Sequence, residues 1–469
     1  MTGPLSPAGG NTDAPRRPPL IFLEKYARTG TGDAMNAATA ATARSRSSDG
    51  DILEISLWFH QPPALSYFCA RGHYGSDERL HVVGAEGRLA LLRASFATLY
   101  GYESYEYFLY KSGFGEPASL DAIPPCHFPR NVKELAVVPR GHGGHEYLLA
   151  ALAIALDLPD YTYNKLYIYS SEDKSWTSIL LQNPIPQLRK TIRTSKVVNL
   201  GEGLVAWVDY HHGMLVFDLH ETNPTARYIP LPDPLPGNRD QMQELAGRTC
   251  TGRYQDLACI NGVLKFIEME HHVVIKTQEP SFPPENGKVL DSDLIMSRQR
   301  EKPKPVKTWN GWTAVMWSRT VSPDGWEMGP VLDAADFVLD NPMDLLSMLS
   351  GLKDRADIGK MEFKDLYSDS PILSTDGDDI LYLHSSTRMG DWDRRVVALD
   401  LRTNRVKVMG DFSPVKRWHL VKAFGPCPVP HVITGYWLRK STMDTMELRI
   451  SCKMITFLRS VRLKTIRSS

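Results

Sequence analysis

The chain has 469 residues, with 54 Lys and Arg against 54 Asp and Glu, so its formal charge is zero; 42% of its residues are hydrophobic, 23% are charged and six are Cys. These values exclude collagen-like, disulfide-rich and mostly disordered chains. The length suits roughly two to four domains of about 150 residues, or one long repeat-built domain, and neutrality provides no global attraction to nucleic acid, which is not expected as a partner.

Residues 1–19, rich in Pro, Gly and polar side chains, read as a disordered lead. They hold no apolar core of the kind a secretory signal needs. The short run from Leu20 to Leu23 is compatible with a first strand, and a Ala/Thr/Ser-rich stretch follows from Ala27 to Asp51. That stretch starts late and carries Asp33 and Asp49, which argues against a transit peptide. The longest apolar run, Leu148 to Leu156, is nine residues. A spanning helix needs about 20, so no membrane span is expected. Cysteines 69, 126, 250, 259, 427 and 452 are scattered without a C-x-x-C, and Asn223 is followed by Pro224, which voids the one sequon-like site. Together these readings predict a reduced protein of the cytoplasm, the nucleus or both, and not a secreted one.

From Ile52 onward, short runs rich in β-branched and aromatic residues alternate with Gly, Asp, Asn and Pro, the pattern of strands and turns. Examples are ILEISLWF (52–59), YEYFLYK (105–111), KLYIYSS (165–171), LVAWVDY (204–210), GMLVFDL (213–219), WTAVMWSRTV (312–321) and ILYLHSS (380–386). Glu146 to Leu158 fits either a helix or a buried strand pair. Asp333 to Leu352 is the better helix candidate, with Asn341-Pro342 as a start signal. Several segments repeat a loose form, an apolar strand ending in Ser or Asp, a polar turn, and an aromatic or Val opening the next strand, as in 166–179, 214–231, 314–331 and 396–410. The fold expected is mainly β, an irregular β-propeller-like repeat of hairpins with few helices; two packed β-sandwich domains are the alternative. Residues 52–438 have room for at most about nine blades.

The segment LVAWVDYHHGMLVFDLHETNPTARYIPLPDPLPGNR (204–239), with LACINGVLKFIEME (257–270), TWNGWTAVMWSRTV (308–321) and GWEMGPVLD (325–333), resembles plant proteins carrying domain of unknown function 1618, a family expanded in grasses. PLIFLEKYA (19–27) and residues 36–70 resemble the leader of that family. The resemblance implies a relative of F-box-associated β-propellers and brings no catalytic residue or cofactor. It places the family domain at about 204–360, within a body at 20–438 that is followed by a tail at 439–469.

Candidate chemistry is sparse. His142 and His145 in a Gly-rich stretch, the pair His211 and His212, and the pair His271 and His272 are the candidate metal ligands, since imidazole is the commonest transition-metal ligand. Their spacing matches no H-E-x-x-H, and turns or strand ends explain them equally well. No nucleophile elbow, Walker loop or dinucleotide fingerprint occurs, and no catalytic residue, metal or cofactor is assigned. The carboxylates of TDGDD (375–379) read as a hairpin turn. Trp309, Trp312 and Trp326, with Trp317, form a dense aromatic set that could line a binding groove, with core packing as the other explanation.

Two basic stretches remain, RQREKPKPVK (298–307) and the tail. The tail has eight Lys and Arg against Asp444 and Glu447, a net +6, which leaves residues 1–438 at −6. Its apolar residues Ile450, Met454, Phe457, Leu458 and Val461 recur at helical spacing, predicting a basic amphipathic helix that docks on the acidic body or on an acidic partner. The function expected is a non-catalytic protein–protein interaction scaffold whose protein partners the sequence does not name. The alternative is a hydrolase-type enzyme with a site assembled from dispersed loop His and Asp residues.

Overall fold

The computed structural model describes residues 21–29, 41–44, 52–59, 65–71, 80–87, 89–97, 103–111, 118–126, 129, 132, 134–141, 146–158, 161–181, 191–240, 251–277, 305–321, 325–341, 362–375, 377–388, 395–409, 426–427 and 448–449. They form six sheets in chain order, and the chain is mainly β and propeller-like. The second sheet runs Leu80–Glu86, Leu89–Ala97, Glu103–Lys111 and Ser119–Ile123; the third runs Ala136–Arg140, Glu146–Leu158, Tyr161–Ser170 and Ser175–Leu180. The fourth has Lys196–Gly201, Leu204–Asp209, Gly213–Asp218 and Arg227–Ile229, and the fifth has Gln255–Ile260, Val263–Thr277, Pro305–Thr320 and Glu327–Asp333. In each of these four, consecutive strands are antiparallel neighbours, the meander of a propeller blade and not the interleaved order of a Greek-key sandwich.

The other two sheets recruit strands from elsewhere. The first is built on Ile52–Phe59 and Leu65–Arg71, with Ile21–Leu23, Arg28–Thr29 and Ala41–Arg44 added from upstream. Pro426–Cys427 pairs with Ile21–Phe22, and Leu448–Arg449 pairs with Trp58–Phe59. The sixth orders Tyr367–Leu373, Ile380–Ser386, Arg395–Asp400 and Arg405–Met409, with Val338–Leu339 lying parallel on its outer strand. The chain forms two compact units. One holds residues 1–230, 374–378 and 422–469, and the other holds 231–373 and 379–421.

Alternation explains how the sheets stack within each unit. On the third sheet, Tyr147, Leu149 and Ala151 point to the second sheet and meet Leu89, Leu91, Tyr107 and Leu109. Leu148, Ala150 and Leu152 point the other way, to Val205, Trp207, Leu215 and Phe217 of the fourth. A strand buried on both faces carries no polar alternation, which is why Glu146–Leu158 looked helical or stranded from its letters alone. In the second unit one core joins Ala258, Ile267, Met269, Trp312 and Ala314 of the fifth sheet to Leu373, Leu381, Leu383, Val397 and Leu399 of the sixth. Tight hairpins set the registers. Asn261 and Gly262 both have positive φ between paired Ile260 and Val263, the geometry of a two-residue type I′ turn.

The helix expected from Asp333 does not form over its described part. Asp333 caps a single 3-10 turn, Ala334–Asp336, by accepting a hydrogen bond from the Ala335 N–H at 2.8 Å. Phe337 and Leu339 then alternate into the core while Val338 faces out, so period two replaces the helical period. Residues 342–352 of that expectation, the 1–19 lead and most of the 439–469 tail lie outside the described residues. Within the tail, Leu448–Arg449 is a strand and not a turn of helix.

The first strands of the second, third and fourth sheets lie side by side. Leu135 N–H donates to Val83 O at 2.8 Å. Asn199 Nδ2 donates to both Glu86 Oε2 (2.6 Å) and Val137 O (3.1 Å), tying three sheets through one amide. Burial pushes the Glu86 carboxyl up to about 7, and the Asn199 hydrogen bond offsets this only in part.

Two predictions follow from this packing. Leu149→Ala should lower stability by about 2–5 kcal/mol, whereas Leu180→Ala, at a half-exposed edge, should stay within about 0.5 kcal/mol; urea midpoints check both. Because the Glu86 carboxyl is raised in the folded state, its stabilising contribution is complete below pH 4.5 and is lost as pH rises through 7. The loss approaches about 3 kcal/mol. The difference between wild type and Glu86→Gln in urea midpoint at pH 5 and pH 8 measures it; parallel pH profiles of the two proteins contradict the assignment.

Candidate functional site

The sequence candidates separate in space. His142 and His145 lie outside the described residues. His211 and His212 occupy the turn between Leu204–Asp209 and Gly213–Asp218, where the buried Asp209 carboxylate organises the backbone. Its oxygens accept from the N–H groups of Arg193 (2.9 Å) and His211 (3.0 Å), and His212 Nδ1 lies 3.0 Å from Oδ2. Burial alone raises this carboxyl, but the His212 and backbone hydrogen bonds outweigh it and hold it below the usual carboxylate range. Tyr228 OH donates to the His212 carbonyl from the neighbouring strand. An Asp–His pair can orient an imidazole for proton transfer, yet here the carboxylate is already committed to two turn amides. Among the described residues no three His, Cys, Asp or Glu side chains gather as a metal site.

The tryptophans divide among three environments. Trp312 is fully buried in the core of the second unit against Phe337 and Phe363, with ring centroids 6.1 and 6.4 Å away, and it presents no surface. Alternation along the strand sends Trp317 to the opposite face, where Phe266 packs between it (5.5 Å) and Trp326 (6.1 Å). Trp309 belongs to a third group, around His271. One groove shared by Trp309, Trp312 and Trp326 is therefore not what the structure builds.

The His271 group lies midway along the strand Val263–Thr277, where a bulge follows His271. The imidazole is walled by Tyr254 (5.0 Å), Trp309 (5.1 Å) and Tyr367 (5.5 Å), and Trp309 Nε1 is fixed by donation to Lys364 O at 3.0 Å. Beneath it, the fully buried Asp369 carboxylate accepts from Arg253 Nε and an Arg253 terminal nitrogen (both 3.2 Å), from Tyr367 OH (3.1 Å) and from Ser370 Oγ (3.0 Å). Burial depresses His271 to about 4, outweighing the attraction of Asp369. The ring is thus neutral at physiological pH, a packed aromatic and not a standing cation. No motif announced Arg253, Tyr367 and Asp369, because they come from two sheets more than a hundred residues apart.

A second feature is the face of the fifth sheet that carries Phe266. Its inner half is covered by Leu235–Asn238, anchored on Glu268: the fully buried carboxylate accepts from Leu235 N–H (3.0 Å), Asn238 Nδ2 (2.7 Å) and Gln255 Nε2 (3.1 Å). Burial raises Glu268 above the usual carboxylate range, with those three donors opposing. The outer half is different. Met328 is registered with Trp317 and Val331 with Val315, and the bulge between those pairs brings both onto this one face. Met328 is 65% exposed and Val331 58%, beside half-buried Trp317 and Trp326. The result is an apolar surface built from four side chains, of which the sequence signalled only the tryptophans.

Removing the Asp369 carboxylate leaves Tyr367 without its acceptor and Arg253 with only the Tyr367 hydroxyl, 2.7 Å away. Asp369→Ala should cost roughly 2–3 kcal/mol and Tyr367→Phe about 1 kcal/mol. Urea midpoints of the two variants check the ranking, and equal losses contradict it.

Comparison with known proteins places the chain only in part. No curated protein sequence matches it. Among solved structures it is similar to a Trypanosoma rangeli sialidase at 11% identity and a TM-score of 0.34, covering 82% of this chain and 54% of the sialidase, so the chain spans about half of that enzyme's length. A B. megaterium levansucrase mutant is similar at 8% identity and a TM-score of 0.29, covering 82% of this chain and 91% of the other. The Cps50 (Swd1) β-propeller domain of Myceliophteria thermophila is similar at 11% identity and a TM-score of 0.25, covering 81% and 99%. The propeller-like assignment rests on the sheets themselves. Residues 207–382, which take in part of the fourth sheet, the fifth and part of the sixth, match the family described as protein of unknown function (DUF1618).

Proposed function

We propose that this protein is a non-catalytic protein–protein interaction scaffold of the plant family its sequence resembles, working in the cytoplasm or nucleus. The observation that carries this reading is the apolar surface at Met328 and Val331 on the outermost strand of the fifth sheet. Clustered large apolar side chains at a sheet's outer rim lose free energy in water and gain it when a partner covers them. A rigid stack of sheets holds such a surface in place without an induced rearrangement. The basic tail is assigned to the same role, docking on the acidic body or on an acidic partner. The strand Leu448–Arg449 against Trp58–Phe59 supports docking on the body.

The hydrolase alternative has less behind it. The described Asp–His and Asp–Arg pairs are satisfied inside turns and cores, at Asp209 and Asp369, and none is aimed at an open site.

Affinity purification with mass spectrometry tests the proposal, using full-length protein and the variant Met328→Glu/Val331→Glu. The full-length protein should retain stable partners that the variant loses while melting at the same temperature. A full-length protein that holds no partner but turns over a metabolite overturns the reading.

A further inference from the structure

We infer that the outer strand Glu327–Asp333 of the fifth sheet takes up an extended peptide segment flanked by cationic residues, adding it to the sheet as a further strand. This inference rests on the scaffold reading and specifies its partner. Four observations support it.

The strand is paired along one side only, with Thr313–Ser318, and among the described residues no backbone group bonds to its other side. Six of its seven residues are exposed. An open edge of this kind is a template for another strand; of the features that normally blunt such edges, this one carries a bulge and Pro330 but neither Lys nor, among the described residues, a covering segment. The sixth sheet shows such a cover, since Val338–Leu339 lies along its outer strand.

The apolar seat lies on this strand. Met328 and Val331 are two of the five large apolar side chains found exposed among the described residues. Backbone bonding would supply affinity and these side chains a preference for apolar residues at alternate positions, as in β-augmentation generally.

Charge selects the flanks. From Trp326 to Asn341 the sequence has Glu327, Asp333, Asp336 and Asp340 and no Lys or Arg. All four carboxylates are on exposed residues. Asp333 is engaged by the Ala335 N–H and by the charge of nearby Lys364, and Asp340 lies 3.9 Å from Arg405, so Glu327 and Asp336 contribute most of the unbalanced field. A cationic flank meets that field favourably and an anionic one is repelled.

The same charges disfavour a second copy of this chain. Antiparallel self-pairing centred on Pro330 would set Glu327 opposite Asp333 twice, and like charges directly opposed destabilise a sheet. Pro330 also supplies no N–H at the centre of the strand. Main-chain bonding is weakened there for any guest, which makes the Met328 and Val331 contacts necessary.

A peptide array tests this with the full-length protein. Each member carries five alternating Val and Thr residues flanked on both sides by Lys, or by Glu in the matched control. The Lys-flanked members should bind about tenfold more tightly than the Glu-flanked ones at low salt, with the gap narrowing at high salt. Glu327→Lys should erase or reverse the preference, and Met328→Glu/Val331→Glu should abolish binding with the thermal melt unchanged. Equal binding of the two peptide classes, binding retained by the double variant, or no binding of any member overturns the inference. If the double variant nevertheless loses captured protein partners, the scaffold reading survives without strand addition; if it keeps every partner, the scaffold reading at this surface fails as well.

Discussion

Burial of a sheet on both faces is the constraint on which the rest of this molecule depends. A sheet with one wet face can alternate apolar and polar residues, and it needs only one neighbour. The second and third sheets instead send alternate residues into two different cores, as Leu149 and Leu148 do on adjacent positions. Each sheet is then stable only with neighbours on both sides. Within the first unit the chain meets that requirement by repeating the same four-strand meander, so that the second and third sheets share one core and the third and fourth share the next. Polar side chains are pushed to the strand ends and inner strands, where Asn199, Asp209, Glu268 and Asp369 each draw several donors or neighbours together.

The buried carboxylates of Asp209, Glu268 and Asp369 would be costly to leave unpaired, and each accepts several hydrogen bonds. Their work is positional. Asp209 shapes a hairpin turn, Glu268 pins the chain between the fourth and fifth sheets onto the fifth, and Asp369 fixes the Arg253 and Tyr367 side chains. All three are buried with their oxygens turned onto protein donors, and none of them is presented at the surface.

Much of the fold was legible in the letters, because strand signals are local. ILEISLWF and ILYLHSS match observed strands residue for residue, and Asn261-Gly262 sits where a two-residue hairpin needs it. The failures have physical causes. Period-two burial on both faces erases the alternation of Glu146–Leu158, and the turn that Asp333 caps stops after Ala334–Asp336 because Phe337 and Leu339 are drawn into the core on alternate positions. The sites were less legible. Trp312 and Trp326 look equivalent in sequence, each following a Gly, yet the first lies mid-strand and packs into the core while the second precedes a strand and stays half-buried beside Phe266. The exposure of Met328 depends on a bulge, and a bulge leaves no mark in a single sequence.

The first sheet has one more consequence, for the order of assembly. Its strands come from residues 21–71, and two further strands, at 426–427 and 448–449, come from close to the other end of the chain. Pairing across so long a separation carries a large loop-closure entropy and slows the step that depends on it. During synthesis, the other sheets can form from contiguous chain as it emerges, while this one must wait for strands that follow all of them. Until they arrive, the strands at Ile21–Phe22 and Trp58–Phe59 have edges without their native partners. The nascent chain is therefore most open to mispairing at this sheet.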